Sequence, residues 1–184
     1  EIGEKVKLRI VTAFFNINKD TLKQENHKYK VEYKRCIEKN LVVMDSVGTS
    51  VKEITNFTAL NKPDVVFIDQ MDKVKVEGTY TRGDERLKEI YVMGRELAKR
   101  NNCLVWAVSQ ASFEAHDREV IDYSMLDSSR TGKAGEADLI IGIGKQIGMD
   151  TTNTRFLAIS KNKINGWHGN VPVQINIATG RYST

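Results

Sequence analysis

Asp69 stands at the end of the run Val65-Val66-Phe67-Ile68, and Gln110 stands at the end of Val105-Trp106-Ala107-Val108-Ser109. A carboxylate carried by an apolar strand to the edge of a sheet can hold a metal-bound water, which is how triphosphate hydrolases secure magnesium. A neutral amide at such an edge can hydrogen-bond a terminal phosphate oxygen and report its presence without adding charge. Each residue also has a plainer use. Asp69 can cap a turn, and Gln110 can cap the loop that follows it. The two together carry more weight than either alone, because α/β sheets bind ligands outside the carboxyl ends of their strands.

Other polar groups cluster further on. Lys161 and Lys163 sit two residues apart in Ser160-Lys161-Asn162-Lys163. Without a partner to reach, such a pair is an exposed, solvated hairpin tip. Thr131-Gly132-Lys133-Ala134 imitates the end of a phosphate-binding loop. It lacks the first glycine and the final hydroxyl, and it follows no strand. No Gly-x-x-x-x-Gly-Lys-Ser/Thr occurs in the sequence. Without that backbone cradle and its lysine, a triphosphate has little to bind it.

The elements that must position these residues follow from apolar periodicity. Val6, Ile10, Ala13, Phe14 and Ile17 predict one helix face over 4–17. Residues 19–39 interleave Lys and Arg with Asp and Glu, the pattern of a solvated helix face rather than a nucleic-acid patch. Leu41-Val42-Val43-Met44-Asp45 predicts a short buried strand. Thr49 or Ser50 can cap a helix that runs to about Leu60 and stops before Pro63. Pro63 to Gln70 then reads as a fully buried parallel strand. A polar loop fills 71–85, an amphipathic helix 86–100, and a second buried strand 103–108. Residues 111–137 are polar and irregular, and 138–143 are a further apolar run. Alternation over 155–161 and 171–177 predicts a β-hairpin. The outline is an α/β sheet core finished by antiparallel strands.

The 184 residues fit one domain, 1–184, with a real core. Apolar content of 40% and charged content of 28% describe an ordinary globular protein, and no stretch has the length of a transmembrane helix. The net charge of +4 permits a polyanionic partner without demanding one. Cys36 and Cys103 have no second thiol or histidine at metal-ligand spacing, which argues against zinc and for a reducing, cytoplasmic setting. The chain opens on Glu1-Ile2-Gly3 without a Met and enters a helical pattern at once, so it reads as a piece of something longer.

At this point a family resemblance is visible. Val65 to Gln70, then an arginine-bearing helix, then Val105 to Ala111, is similar to the second and third motifs of the DnaB-type replicative helicases. Gly135-Glu136-Ala137-Asp138-Leu139-Ile140 resembles that family's acidic Ala-Asp-Leu-Ile segment. Ser160 to Gly169 resembles its Lys-Asn-Arg-Asn-Gly hairpin, and Glu1 to Arg9 resembles the segment after its glutamate-bearing strand. The phage-encoded members are nearest in flavour. The outline likewise matches the RecA class of ATPase core.

The resemblance implies a RecA-like P-loop NTPase core, a mostly parallel sheet flanked by helices and ended by an antiparallel β-hairpin. It implies ATP and Mg2+ as cofactors, single-stranded DNA as the track, and a homo-oligomeric ring, hexameric in the family. A primase or helicase loader is a further implied partner, and a membrane is not. Asp69 takes the magnesium-organising role through water, Gln110 the phosphate-sensing role, and Glu1 lies at or one residue past the catalytic carboxylate. Lys161 and Lys163 would reach a neighbouring subunit's nucleotide. The family has Arg at the second position, and Lys is a point charge without a bidentate fork, so Arg155 or Arg181 are substitutes for Lys163. Ser128, Ser129, Arg130, Gly132 and Lys133 fall where the family places DNA-lining loops, and they can meet phosphates by charge and by backbone amides. An ordinary surface loop is the other reading. The phosphate cradle would lie upstream of Glu1, so the 184-residue chain alone is expected to be inactive. A recombinase or other RecA-like DNA-dependent ATPase, and a nucleotide-free binding or assembly module, are the alternatives.

Overall fold

The computed structural model describes residues 3–45, 48–80, 82–128, 130–145 and 153–184, without the side chains of 130 and 131. The chain divides into two compact units, one of Gly48–Ile147 with Phe156–Val171, the other of Glu1–Val47 with Gly148–Arg155 and Pro172–Thr184.

In the larger unit, α4 (Val51–Asn61) opens with a full capping box. The Ser50 hydroxyl accepts from the Glu53 amide, and the Glu53 carboxylate accepts from the Ser50 amide at 2.7 Å. The helix stops at Lys62, whose left-handed backbone (φ 45°) turns the chain ahead of Pro63. Strand β1 (Val65–Ile68) follows, then a polar segment, α5 (Gly83–Asn101) and β2 (Leu104–Ala107). β1 and β2 pair in parallel with Val65 opposite Leu104 and Ile68 opposite Ala107. A long connection containing a helix is what a parallel pair requires, and α5 supplies it.

Strand periodicity sorts the side chains. Val66, Ile68, Val105 and Ala107 turn inward onto a core of Val51, Ile54, Met71, Val74, Leu87, Ile90 and Leu97. Val65, Phe67, Leu104 and Trp106 turn outward and are exposed, Phe67 to 74%. The expectation of strands buried on both faces therefore fails: only the inner face is covered by described residues. The segment 71–85 is also less loop-like than its polarity suggests. Met71 and Val74 are buried, and the Val51 amide bonds the Lys75 carbonyl at 2.9 Å.

Helix α6 (Arg130–Glu136) leads into β3 (Leu139–Gly144), which pairs antiparallel with β4 (Thr154–Asn162) with a register shift between Ile140 and Ile141. β5 (Gly169–Asn176) and β6 (Arg181–Ser183) complete a four-stranded antiparallel sheet in the order β3-β4-β5-β6. The hairpin expected across 162–170 is thus present, with β6 added. The mostly parallel sheet is not: among the described residues one pair is parallel and the larger sheet is antiparallel.

The smaller unit holds α1 (Gly3–Phe15), α2 (Lys19–Gln24) and α3 (Asn26–Cys36). Residues 19–39 are two helices, broken at Glu25. The Asn18 side chain caps α2 by accepting from the Thr21 amide, and Lys28–Glu25 and Arg35–Glu32 pair along the solvated face of α3. Residues 41–45 are not a strand, and Val42 is 61% exposed. β-branched residues favour strands only where a neighbour supplies the ladder, and no described residue does so here.

Candidate functional site

Both strands of the parallel pair end at the same edge. The Val108 amide donates to the Ile68 carbonyl at 3.0 Å, and the Met71 amide donates to the Val108 carbonyl at 3.0 Å. The chain leaving β1 therefore straddles the chain leaving β2. Asp69 sits in the turn just past β1 and is exposed, and Gln70 beside it adopts the left-handed region (φ 51°). Gln110 is exposed beyond the end of β2. The structure thus brings Asp69 and Gln110 to one sheet edge, as their positions in sequence predict.

Asp72, three residues past Asp69, is the centre of this edge. Its Oδ1 accepts from the Tyr91 hydroxyl at 2.9 Å, and its Oδ2 accepts from the Ser109 hydroxyl at 2.9 Å and from the Gln110 amide at 3.5 Å. Lys133 Nζ lies 3.0 Å from Asp72 Oδ1. The same ammonium donates to Ser109 Oγ at 3.1 Å and to the Asp127 carbonyl at 2.6 Å, and it stands over the Tyr91 ring. The Lys133 side chain is 2% exposed. A buried charge persists only when it is paired and hydrogen-bonded, and here every contact is polar or aromatic. Burial pushes the Tyr91 phenol well above its ordinary range; the Ser109 contact opposes this and the Asp72 carboxylate adds to it.

The segment expected to meet DNA is stitched to Gln110. The Asp127 amide donates to the Gln110 carbonyl at 3.1 Å, Ala111 bridges Leu126, and the Ser112 amide donates to the Met125 carbonyl at 2.7 Å. Ser128 follows in a left-handed turn (φ 50°) and is exposed. Gly132 is half-buried in α6. Lys133 faces inward to Asp72 rather than outward, so its charge is engaged inside the chain. Ser129, the Arg130 side chain and Glu1 lie outside the described residues.

The other end of α6 is held by three cations. Lys161 donates to the Ala134 carbonyl, Lys163 donates to the Gly135 carbonyl at 3.1 Å, and Arg95 donates to the Glu136 carbonyl at 3.0 Å. Free carbonyls at a helix C-terminus favour cations. Asp138 adds ion pairs, 3.5 Å from Arg95 and 3.6 Å from Lys163. Burial, then the neighbouring Lys163 and Arg95, hold the Lys161 ammonium below its ordinary value, and Asp138 opposes them. Both hairpin lysines thus sit against their own chain. Of their named substitutes, Arg155 bonds the adjacent Thr154 carbonyl at 2.7 Å.

Asp72, Tyr91, Ser109 and Arg95 escaped the sequence reading. Asp72 lay in a stretch scored as polar loop, and only burial of its neighbours Met71 and Val74 marks it as inward-facing. Among the described residues no group of three or more His, Cys, Asp or Glu is placed to hold a metal ion, and no helix is long and apolar enough to cross a membrane.

The fold and edge geometry are those of a helicase ATPase domain. The chain is similar to the structure of a DnaB-like replicative helicase that interacts with primase, with a TM-score of 0.81 at 21% identity over 99% of this chain and 49% of that one. It is also similar to the isolated ATPase domain of a second helicase, with a TM-score of 0.84 at 20% identity over all of this chain (100%) and 72% of that one. The chain spans about half the length of the first. No protein-family profile and no curated protein matches the sequence.

Proposed function

We propose that these 184 residues are part of the ATPase domain of a DnaB-like replicative helicase, and that the whole protein couples ATP hydrolysis to movement along single-stranded DNA and duplex unwinding. The observation that carries this reading is the shared edge: Asp69 and Gln110 emerge side by side, and the loop at 126–128 hangs from the Gln110 backbone. Asp69 organises magnesium through water. Magnesium takes one or two carboxylates plus phosphate oxygens and water, so a single exposed carboxylate fits the ion in that role and in no closed cage. Gln110 senses the terminal phosphate, and when bound the metal would neutralise charge on the phosphates.

The phosphate cradle belongs to chain outside these residues. In support, the sequence holds no phosphate-loop motif, and the outer face of β1 and β2 is bare where α/β sheets are covered on both sides. The 184-residue chain alone is then inactive. Lys161 and Lys163 serve a neighbouring subunit in a hexameric ring after leaving the α6 carbonyls. Ser128, Ser129, Arg130 and Gly132 contact single-stranded DNA. Primase or a loader is the further partner, in the cytoplasm of a bacterium or phage-infected host.

The test is unwinding of forked DNA by the native full-length protein with ATP and Mg2+. Unwinding that needs ATP and fails with the Gln110→Ala variant supports the helicase. Strand exchange without unwinding points instead to a recombinase, and the absence of both leaves a binding module.

A further inference from the structure

Helix α6 has seven residues, far fewer than the roughly 12–15 that an isolated helix needs to persist in water. Its stability comes from what holds its two ends. At one end Lys161, Lys163 and Arg95 occupy its terminal carbonyls. In its body Lys133 reaches across to Asp72 and Ser109. Those two residues leave β1 and β2 at the edge that carries Asp69 and Gln110.

The chemistry of this contact makes it a rigid tie. Lys133 and Asp72 are a charge pair with one member almost fully enclosed. Separating them would leave an uncompensated charge in a site without water, so the helix follows the strand ends rather than detaching from them. The Asp72 carboxylate is shared by Lys133, Tyr91 and Ser109, and it lies within 3.5 Å of the Gln110 amide. A displacement of Gln110 is therefore felt at Asp72, at Ser109 and, through Lys133, along α6. The Asp127 carbonyl is a ligand of the same ammonium while its amide bonds the Gln110 carbonyl, so the loop at 126–128 is tied at two points.

We propose that Lys133 is a positioning residue, a buried pin that locks α6 to Asp72 and Ser109 so that a shift at Gln110 is transmitted to the loop at 126–128 and to the hairpin lysines 161 and 163. The assignment of Gln110 as the input rests on the proposed function; the pin itself rests on the contacts. A tie of this kind couples two sites by giving a packed element two discrete positions.

The experiment is hydrogen exchange on the native full-length protein, with and without a β,γ-imido nucleoside triphosphate and Mg2+. The wild type is compared with the double variant Asp72→Asn/Lys133→Met, which removes both charges together. In the wild type the analogue is expected to change protection across 126–136 at least tenfold. In the double variant that change is lost while 109–110 still responds. A double variant that keeps the wild-type response at 126–136 overturns the pin. Should the double variant not fold, Ser109→Ala removes one tie without touching the charge pair and is expected to reduce the response. An undiminished response overturns the pin equally. If the wild type binds no analogue, the motor reading fails, and the pin is decided by Lys133→Met without nucleotide. Faster exchange at both 109–110 and 130–136 supports it, and faster exchange confined to 130–136 refutes it.

Discussion

The rings of Phe67 and Trp106 lie stacked on the outer face of the parallel pair, 6.3 Å between centroids and 10° apart in plane. They are opposite one another in the register, so the stack is a direct cross-strand pair. Phe67 is 74% exposed, whereas Ile90 on the inner side is 0% exposed. Truncation should therefore cost unequally. Phe67→Ala loses a stacking contact of about 0.5–1.5 kcal/mol. Ile90→Ala opens a cavity at the centre of the core and costs about 2–5 kcal/mol. Urea unfolding of the 184-residue chain measures both, and equal costs would show that the outer face is packed after all.

The capping box predicts a pH dependence. The Ser50 amide, and after it the Ser50 hydroxyl, hold the Glu53 carboxyl below its ordinary value. A carboxylate whose folded value is depressed stabilises the fold above its unfolded value, and that contribution is lost as pH falls through the folded one. Ser50→Ala should lower stability by about 1 kcal/mol at neutral pH. Glu53→Gln should shallow the decline of Tm on the acid side. An unchanged acid limb in Glu53→Gln would show that the carboxylate does not hold the cap in solution.

Two glycines should respond in opposite directions. A Cβ on Gly142 would strike the Ile121 carbonyl, backbone that cannot step aside, because the strand runs directly under that segment. Gly142→Ala should cost about 1–3 kcal/mol through overpacking. Gly135 in α6 has nothing within 4 Å of its added Cβ. Gly135→Ala should gain up to about 1 kcal/mol from helix propensity. Thermal melts of the two variants shifting the same way would contradict the packing described.

Much of this was legible in the residues. Asp69 and Gln110 were found because an apolar run that ends in one polar side chain is a pattern of a single strand, readable locally. Ser50 was found because a cap needs only its own helix. What stayed hidden depends on contacts distant in sequence. Asp72 meets Ser109 across 37 residues, and Lys133 meets Ser109 across 24, and no periodicity announces either. Lys133 beside serines and Arg130 looked outward-facing, and the enclosed carboxylate that draws it in belongs to a stretch that polarity alone marks as loop. The segment at 41–45 failed for the converse reason: its apolar residues suit a strand, but a strand exists only with a partner.

The central claim is that Asp69 organises the metal of a DNA-driven motor, and the most direct measurement of it is magnesium-dependent ATP turnover by the native full-length protein and its Asp69→Asn variant, each with and without single-stranded DNA. The account predicts wild-type turnover that rises with DNA, a loss on the order of a hundredfold in Asp69→Asn, and none from the 184-residue chain alone. Full-length protein without turnover, an Asp69→Asn variant at the wild-type rate, or turnover by the 184-residue chain would contradict it.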